Sequence, residues 1–342
     1  YVDDARMCAT AAAEYVPEAR FCVFPGDFVE TGTNRNSEWE WERWFDEALR
    51  PVIQQMPIVP TDGNHDDSEN LNYTYHFNTD NQFKENAHVK PQFDGTTYSF
   101  MYGDVLFMVY SLQDYWKGPY SLSTLTSTYL TNDVGNWFRD QVKAHPEAKW
   151  RIALVHKNIF SGSSHQEDEE TPLFRATMLP IIKECEIDLM LQGHDHCYEV
   201  IGPVNPDTQK PIKEAIEDLE PTVLSASRNK GGTFTVNDGT LYFIGATCGS
   251  KRYNPNSKTV MEADFDKHKV ENYYDLFTGM FCQPGAPSYS TFTVDGNKIT
   301  VNSYKVPKGK SPELFNTFYI KRTKDHSSQK AGKKNALKIM QN

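Results

Sequence analysis

Two short segments concentrate the side chains that could do chemistry: Gly63-Asn64-His65-Asp66 and Gly193-His194-Asp195-His196. Asp27, in Pro25-Gly26-Asp27, and His156, at the end of an apolar run, belong with them. An aspartate offers a charged oxygen able to bridge two cations, and a neutral imidazole offers a nitrogen suited to zinc, iron or manganese. An asparagine offers an uncharged oxygen, useful where more negative charge would repel an anion. His194 and His196 cannot share a helix face, but on a loop after a strand they can splay toward neighbouring ions. Two such ions about 3.5–4 Å apart would clamp a phosphate, acidify a water and steady a departing oxygen. Taken singly, each residue is ordinary: Gly-Asp is common turn chemistry, and a histidine after a strand is more often structural. Four such groups in order, each just after an apolar run and three with glycine alongside, are not ordinary.

The elements that must position them can be read from periodicity. Phe21-Cys22-Val23-Phe24 is a short buried strand delivering Asp27, and Pro57-Ile58-Val59-Pro60 is a second, delivering residues 61–66. The run 150–155 ends at His156, and the run 187–191 ends at Gln192-Gly193-His194. Helices are predicted over 3–16, with acidic residues in the first turn, and over 37–49, 136–144 and 173–184. The helix over 37–49 has a Ser37/Glu40 capping-box pattern and is predicted to stop before Pro51. Hairpins are predicted at Gly103-Asp104 and Asp295-Gly296, a further strand over 241–246, and a long loop or insertion over 205–240. Helix–strand alternation first and hairpins later predict an α/β fold with a mixed two-sheet core and helices outside. Ligands gathered at strand ends are where such folds collect their sites.

The chain has 342 residues and a net charge of −11. From Lys305 onward it carries ten Lys/Arg against two Asp/Glu, so the rest is strongly acidic. An acidic body argues against a nucleic-acid partner. No apolar run is long enough to span a membrane. The six cysteines include no C-x-x-C pair, which leaves the redox compartment open; Cys22 and Cys185, among apolar neighbours, read as small core residues. The sequence Asn72-Tyr73-Thr74 is an uninformative N-x-T match. Nucleophile-elbow, P-loop, H-E-x-x-H and dinucleotide-binding patterns are absent.

Together GDFVETG (26–32), GNHD (63–66), LVHKN (154–158) and GHDH (193–196) resemble the calcineurin-like metallophosphoesterase superfamily, and within it bacterial proteins related to purple acid phosphatases. The stretch from His156 through Phe160-Ser161 to His165, GHDHCYE, GTLYFIGATCGSKRY (239–253) and STFTVDGNKITVNSYKV (290–306) extend the closer likeness over residues 1–306. The resemblance implies a four-layer sandwich of two mixed β-sheets flanked by helices. It implies two metal ions drawn from Fe, Zn, Mn or Mg, with Asp27 bridging them. Asn64, His156 and His194 would complete one site and His196 would belong to the other. His65 would contact the phosphate, Asp66 would orient His65, and His165 would face the substrate. The implied reaction is hydrolysis of a small phosphorylated substrate, acid-phosphatase-like, with a metal-bound hydroxide attacking phosphorus in line.

Two departures from the family pattern stand out. The family's opening D-x-H motif, which supplies ligands to the second metal, occurs nowhere ahead of Asp27 (the match Asp266-Lys267-His268 lies far downstream of its place), and the strand carrying it is expected upstream of Tyr1. Glu30 stands where purple acid phosphatases place the tyrosine that binds Fe(III), so no tyrosinate–iron colour is expected. The alternative reading is a non-catalytic or single-metal descendant acting as a binding or surface interaction domain. The expected organisation is a metallophosphoesterase domain over 1–306 and a basic extension or linker over 307–342, with room for further domains in a longer protein. The resemblance also implies an extracellular or cell-surface location.

Overall fold

The chain runs α1 (Val2–Tyr15), β1 (Cys22–Phe24), α2 (Glu38–Arg43), a π-helical turn (Trp44–Ala48), α3 (Arg50–Ile53), β2 (Ile58–Pro60), α4 (Asn72–His76), β3 (Tyr98–Tyr102) and β4 (Val105–Val109). It continues with α5 (Gly135–Ala144), β5 (Trp150–Val155), α6 (Glu170–Glu184), β6 (Leu189–Gln192), β7 (Tyr198–Asn205), β8 (Lys210–Pro211), β9 (Ile216–Pro221), β10 (Asn229–Thr235) and β11 (Thr240–Gly245). It closes with β12 (Phe281–Cys282), β13 (Ser288–Asp295), β14 (Lys298–Lys305) and β15 (Glu313–Lys321). The structure is a computed structural model and describes residues 2–32, 37–66, 72–79, 95–112, 131–166, 168, 170–222, 229–255 and 273–327.

Strands β4, β5 and β6 are apolar almost throughout, so both of their faces must be covered. Their side chains alternate between two cores. Leu106, Met108, Ala153, Val155 and Met190 face one way, against Trp137 and Phe138 of α5 and Phe174, Met178 and Ile182 of α6. Val105, Phe107, Val109, Ile152, Leu154, Leu189 and Leu191 face the other way, against Ile299, Val301, Phe318 and Ile320 of a second sheet. The first sheet has the order β12-β7-β11-β6-β5-β4-β3, with β8 alongside β7; the second has the order β13-β14-β15-β10-β9. Both are mixed: β4, β5, β6 and β11 run parallel within the first, and β10 and β15 within the second. Strands β1 and β2 pair in parallel as a separate two-stranded sheet, backed by α1, the π turn and α3. This is the expected sandwich of two mixed sheets flanked by helices. Among the described residues no helix is long and apolar enough to cross a membrane.

Four expectations need correction. Pro51 does not stop the helix over 37–49. The chain opens into a π turn and restarts as α3, with Pro51 in the first turn, where no backbone N–H is needed. Ser37 makes no side-chain cap bond; Glu40 instead accepts from the Glu30 and Thr31 amides and the Thr31 hydroxyl, bracing the loop after β1. The supposed loop over 205–240 holds β8, β9 and β10, whose polar exposed edges hide the period-2 signal.

The boundary expected at 306 also falls inside the fold. β15 pairs with both β14 and β10 in the middle of the second sheet. Beyond it, Arg322 donates to the wholly buried Asp188 at 2.5 Å, and His326 Nε2 lies 3.2 Å from the same carboxylate. The basic tail past 327 lies outside the described residues.

Candidate metal centre

Two parallel strand pairs from separate sheets deliver the site: β1 leads to Asp27 and β2 to Asn64 through Asp66, while β5 leads to His156 and β6 to His194. Glycines let these loops close on one another. A Cβ on Gly63 would sit 2.2 Å from the Asp27 amide nitrogen and carboxylate, and one on Gly193 would sit 2.4 Å from the Pro25 carbonyl. One on Gly26 would strike the His156 ring at 2.5 Å. Asp27 and His194 both take left-handed backbone angles (φ 55° and 65°), a strained state for residues with side chains, which turns both toward the shared space.

Asp27, His156 and His194 place their ligand atoms within 4.8 Å of one another. Asn64 joins them: its Oδ1 is 3.0 Å from His156 Nε2, and Asp27 Oδ2 is 3.2 Å from the same nitrogen. His156 Nδ1 donates to the Pro25 carbonyl at 2.6 Å, so in the neutral ring Nε2 carries a lone pair. Three acceptor atoms then converge; burial works against a charge on His156, but Asp27 outweighs it and raises the ring's pKa, so in the metal-free protein a proton on Nε2 lies between them. A cation can take the place of that proton, and the donor set of carboxylate, amide oxygen and two imidazoles suits a borderline divalent ion. These residues fit a metal. Burial opposes a charge on Asp27, but His156 and His65 outweigh it and hold its carboxyl well below the usual range. Burial, reinforced by His156 and His165, pushes His194 well below the ordinary histidine value. Burial brings His196 down to about 4. Neutral imidazoles are the form that binds metal.

The tautomers follow one pattern. His65 Nδ1 donates to the Glu30 carbonyl at 2.8 Å, and His196 Nδ1 to the Lys251 carbonyl at 3.2 Å. His165 Nδ1 pairs with Asp195 Oδ1 at 2.9 Å. With His156, four rings are held through Nδ1, and each leaves Nε2 for a ligand; such outer bonds fix ring orientation and basicity. His196 lies outside the compact group and stacks on Tyr253, centroids 4.6 Å apart. His165 lies against His194, centroids 3.7 Å apart.

Asp66 has a different place from the one expected. Its carboxylate does not reach the His65 ring. It accepts from the Phe28 and Val29 amides (2.7 and 3.2 Å) and from the Gly63 amide (2.8 Å), tying the loop after β1 to the loop after β2. Burial, then the charge on Asp27, raise it to about 8. Glu30, in the position of the purple acid phosphatase tyrosine, turns its carboxylate to Lys251 at 3.7 Å.

Sequence reading missed three residues beside the site: Asp168, Asp195 and Lys251. Asp195 carried a usable signal, since it lies between the two histidines of GHDH. Buried, it accepts from Asn158 Nδ2, Ser161 Oγ and the amide and ring of His165.

The family model for calcineurin-like phosphoesterases matches residues 10–198. An uncharacterised protein of Mycobacterium tuberculosis is 23% identical over 202 residues, which are 56% of this chain and 37% of that protein. Purple acid phosphatase 3 of Arabidopsis thaliana is 39% identical over 82 residues, 24% of this chain and 21% of its own length. The chain thus spans well under half the length of these relatives. Among solved structures, the purple acid phosphatase PPD1 of yellow lupin superposes with a TM-score of 0.56 at 14% identity, covering 95% of this chain and 50% of that one. GAP50, the anchor in the inner membrane complex of Plasmodium, superposes with a TM-score of 0.55 at 16% identity, covering 98% of this chain and 90% of that one. Both structures share the fold. With its family motifs closing on a single ligand cluster, this chain belongs to the calcineurin-like phosphoesterase family.

Proposed function

We propose that this protein is a metal-dependent phosphoester hydrolase acting on small phosphomonoesters. The observation that carries the reading is the convergence of Asp27, Asn64 and His156 Nε2, with His194 beside them. These four residues would hold one cation, and Asp27 and His196 would contribute to a second. A bound cation supplies charge neutralisation on the phosphate and acidifies water to a nucleophile. His65, fixed through Nδ1 on the Glu30 carbonyl, presents Nε2 to the phosphate and, when protonated, gives a proton to the leaving oxygen. The Asp27 carboxylate accepts the His65 backbone amide at 3.0 Å, which couples the position of that ring to the metal ligand. His165, held by Asp195, faces the phosphate from the opposite loop. The acidic body disfavours a nucleic-acid substrate. The family resemblance adds export from the cell to this reading; detection in the culture medium of the source cells checks it.

The test is metal analysis of the purified protein together with hydrolysis of an aryl phosphate, with and without chelator. Bound metal and chelator-sensitive turnover are expected, and His65→Ala should cut turnover at least 100-fold while metal content stays. Absence of both metal and turnover after metal reconstitution would falsify the reading. The match to GAP50 over nearly its whole length favours one second reading, a non-catalytic member serving as an interaction domain. Metal bound without turnover on monoesters or diesters would select it.

A further inference from the structure

A second group of ligand-type side chains stands directly outside the inner set. His165, Asp168 and His194 also bring one ligand atom each within 4.8 Å of one another. His194 Nε2 is 3.9 Å from Asp168 Oδ2, and the His165 ring lies nearly parallel to the His194 ring, 28° apart. Asp168 is the partly exposed member, at 37% of its side chain, so the group opens to solvent.

The surroundings hold His165 in one tautomer and one orientation. Asp195 takes both its backbone amide and its Nδ1 hydrogen. Asp195 is itself held by Asn158 and Ser161, and Thr171 Oγ1 donates to the His165 carbonyl at 3.0 Å. A buried carboxylate on the far nitrogen of an imidazole is the arrangement that orients metal-binding histidines. In the neutral ring it leaves the Nε2 lone pair of His165 as an acceptor suited to a cation.

We propose that His165, Asp168 and His194 form an outer binding site for a borderline divalent cation such as Zn2+ or Co2+. Two imidazoles and one carboxylate are ligands such ions accept. A neutral imidazole has one lone pair to give, so His194 serves the inner or the outer ion, not both. Outer occupancy takes His194 from the inner set and His165 from the substrate. In a hydrolase, excess cation is therefore inhibitory through this site.

The test is visible absorbance on titrating the metal-free full chain with Co2+, which needs no turnover and so stands apart from the hydrolase reading. Asp27→Asn disables the inner set while keeping an acceptor for the His65 amide. This variant is expected to bind one Co2+, and Asp27→Asn/Asp168→Asn to bind it at least tenfold more weakly. If circular dichroism shows that Asp27→Asn does not fold, Asn64→Ala replaces it in the same pair. Asp27→Asn that folds but binds no Co2+, or binding unchanged by Asp168→Asn, overturns the outer site.

Discussion

Replacing Asp66 separates two roles for this carboxylate. If it acted through His65, Asp66→Asn would lower turnover and leave stability alone. The geometry says otherwise, because the side chain accepts three buried backbone amides from two loops. In Asp66→Ala the amides of Phe28, Val29 and Gly63 lose their acceptor together. Each unsatisfied buried donor costs about 1–3 kcal/mol, so the variant should lose roughly 3–9 kcal/mol, a large part of the about 5–15 kcal/mol that holds a domain folded. In Asp66→Asn the Oδ1 position still serves Phe28 and Val29, but the amide NH2 group faces the Gly63 N–H, donor against donor. One bond of three is lost, about 1–3 kcal/mol. Urea denaturation followed by circular dichroism, on metal-free protein, reads both values. The order wild type, Asn, Ala is the expected result. An alanine variant within about 1 kcal/mol of wild type, or equal losses for the two variants, refutes the tie between the loops.

Two further predictions follow from buried charge. Arg322→Leu leaves Asp188, wholly buried, without its guanidinium partner, and breaking a buried pair in this way should cost about 3–5 kcal/mol in the same denaturation assay; a chain ended at 306, which lacks β15 from the middle of the second sheet, should show no cooperative unfolding by calorimetry. Glu199 gives the pH dependence. Ser161 has one hydroxyl hydrogen, yet its Oγ lies against both Asp195 Oδ2 and Glu199 Oε1, so a further proton belongs on Glu199. Burial first, then Asp195, push the Glu199 carboxyl well above its usual value. A raised carboxyl pKa gives stability that is complete below the unfolded value of about 4.3 and is lost as pH rises toward the folded one, by at most about 1.4 kcal/mol per pH unit. Glu199→Gln should remove that slope between pH 5 and 9; a slope unchanged in the variant assigns it to another group.

That Asp27, Asn64, His156 and His194 gather at strand ends was legible because ligand-type side chains are recognised by residue type, and because a short apolar run before a turn marks a strand end without any tertiary knowledge. The hairpins at Gly103-Asp104 and Asp295-Gly296 and the helices at 2–15, 135–144 and 170–184 were legible for the same local reason. Residues 205–240 and 307–327 were not. Their strands alternate with polar residues or lie on exposed edges, and their pairing partners are remote: β10 finds β15, and Arg322 finds Asp188. The role of Asp66 was beyond local reading too, since its partners at Phe28 and Val29 are 38 and 37 residues away. By itself the sequence determined which atoms are available to hold a cation. Only the tertiary structure decided that His65, His156, His165 and His196 are tied back through Nδ1, and that His194 stands between two groups of ligand-type side chains, because hydrogen-bond partners are chosen by strands that meet in space and not by neighbours in the chain.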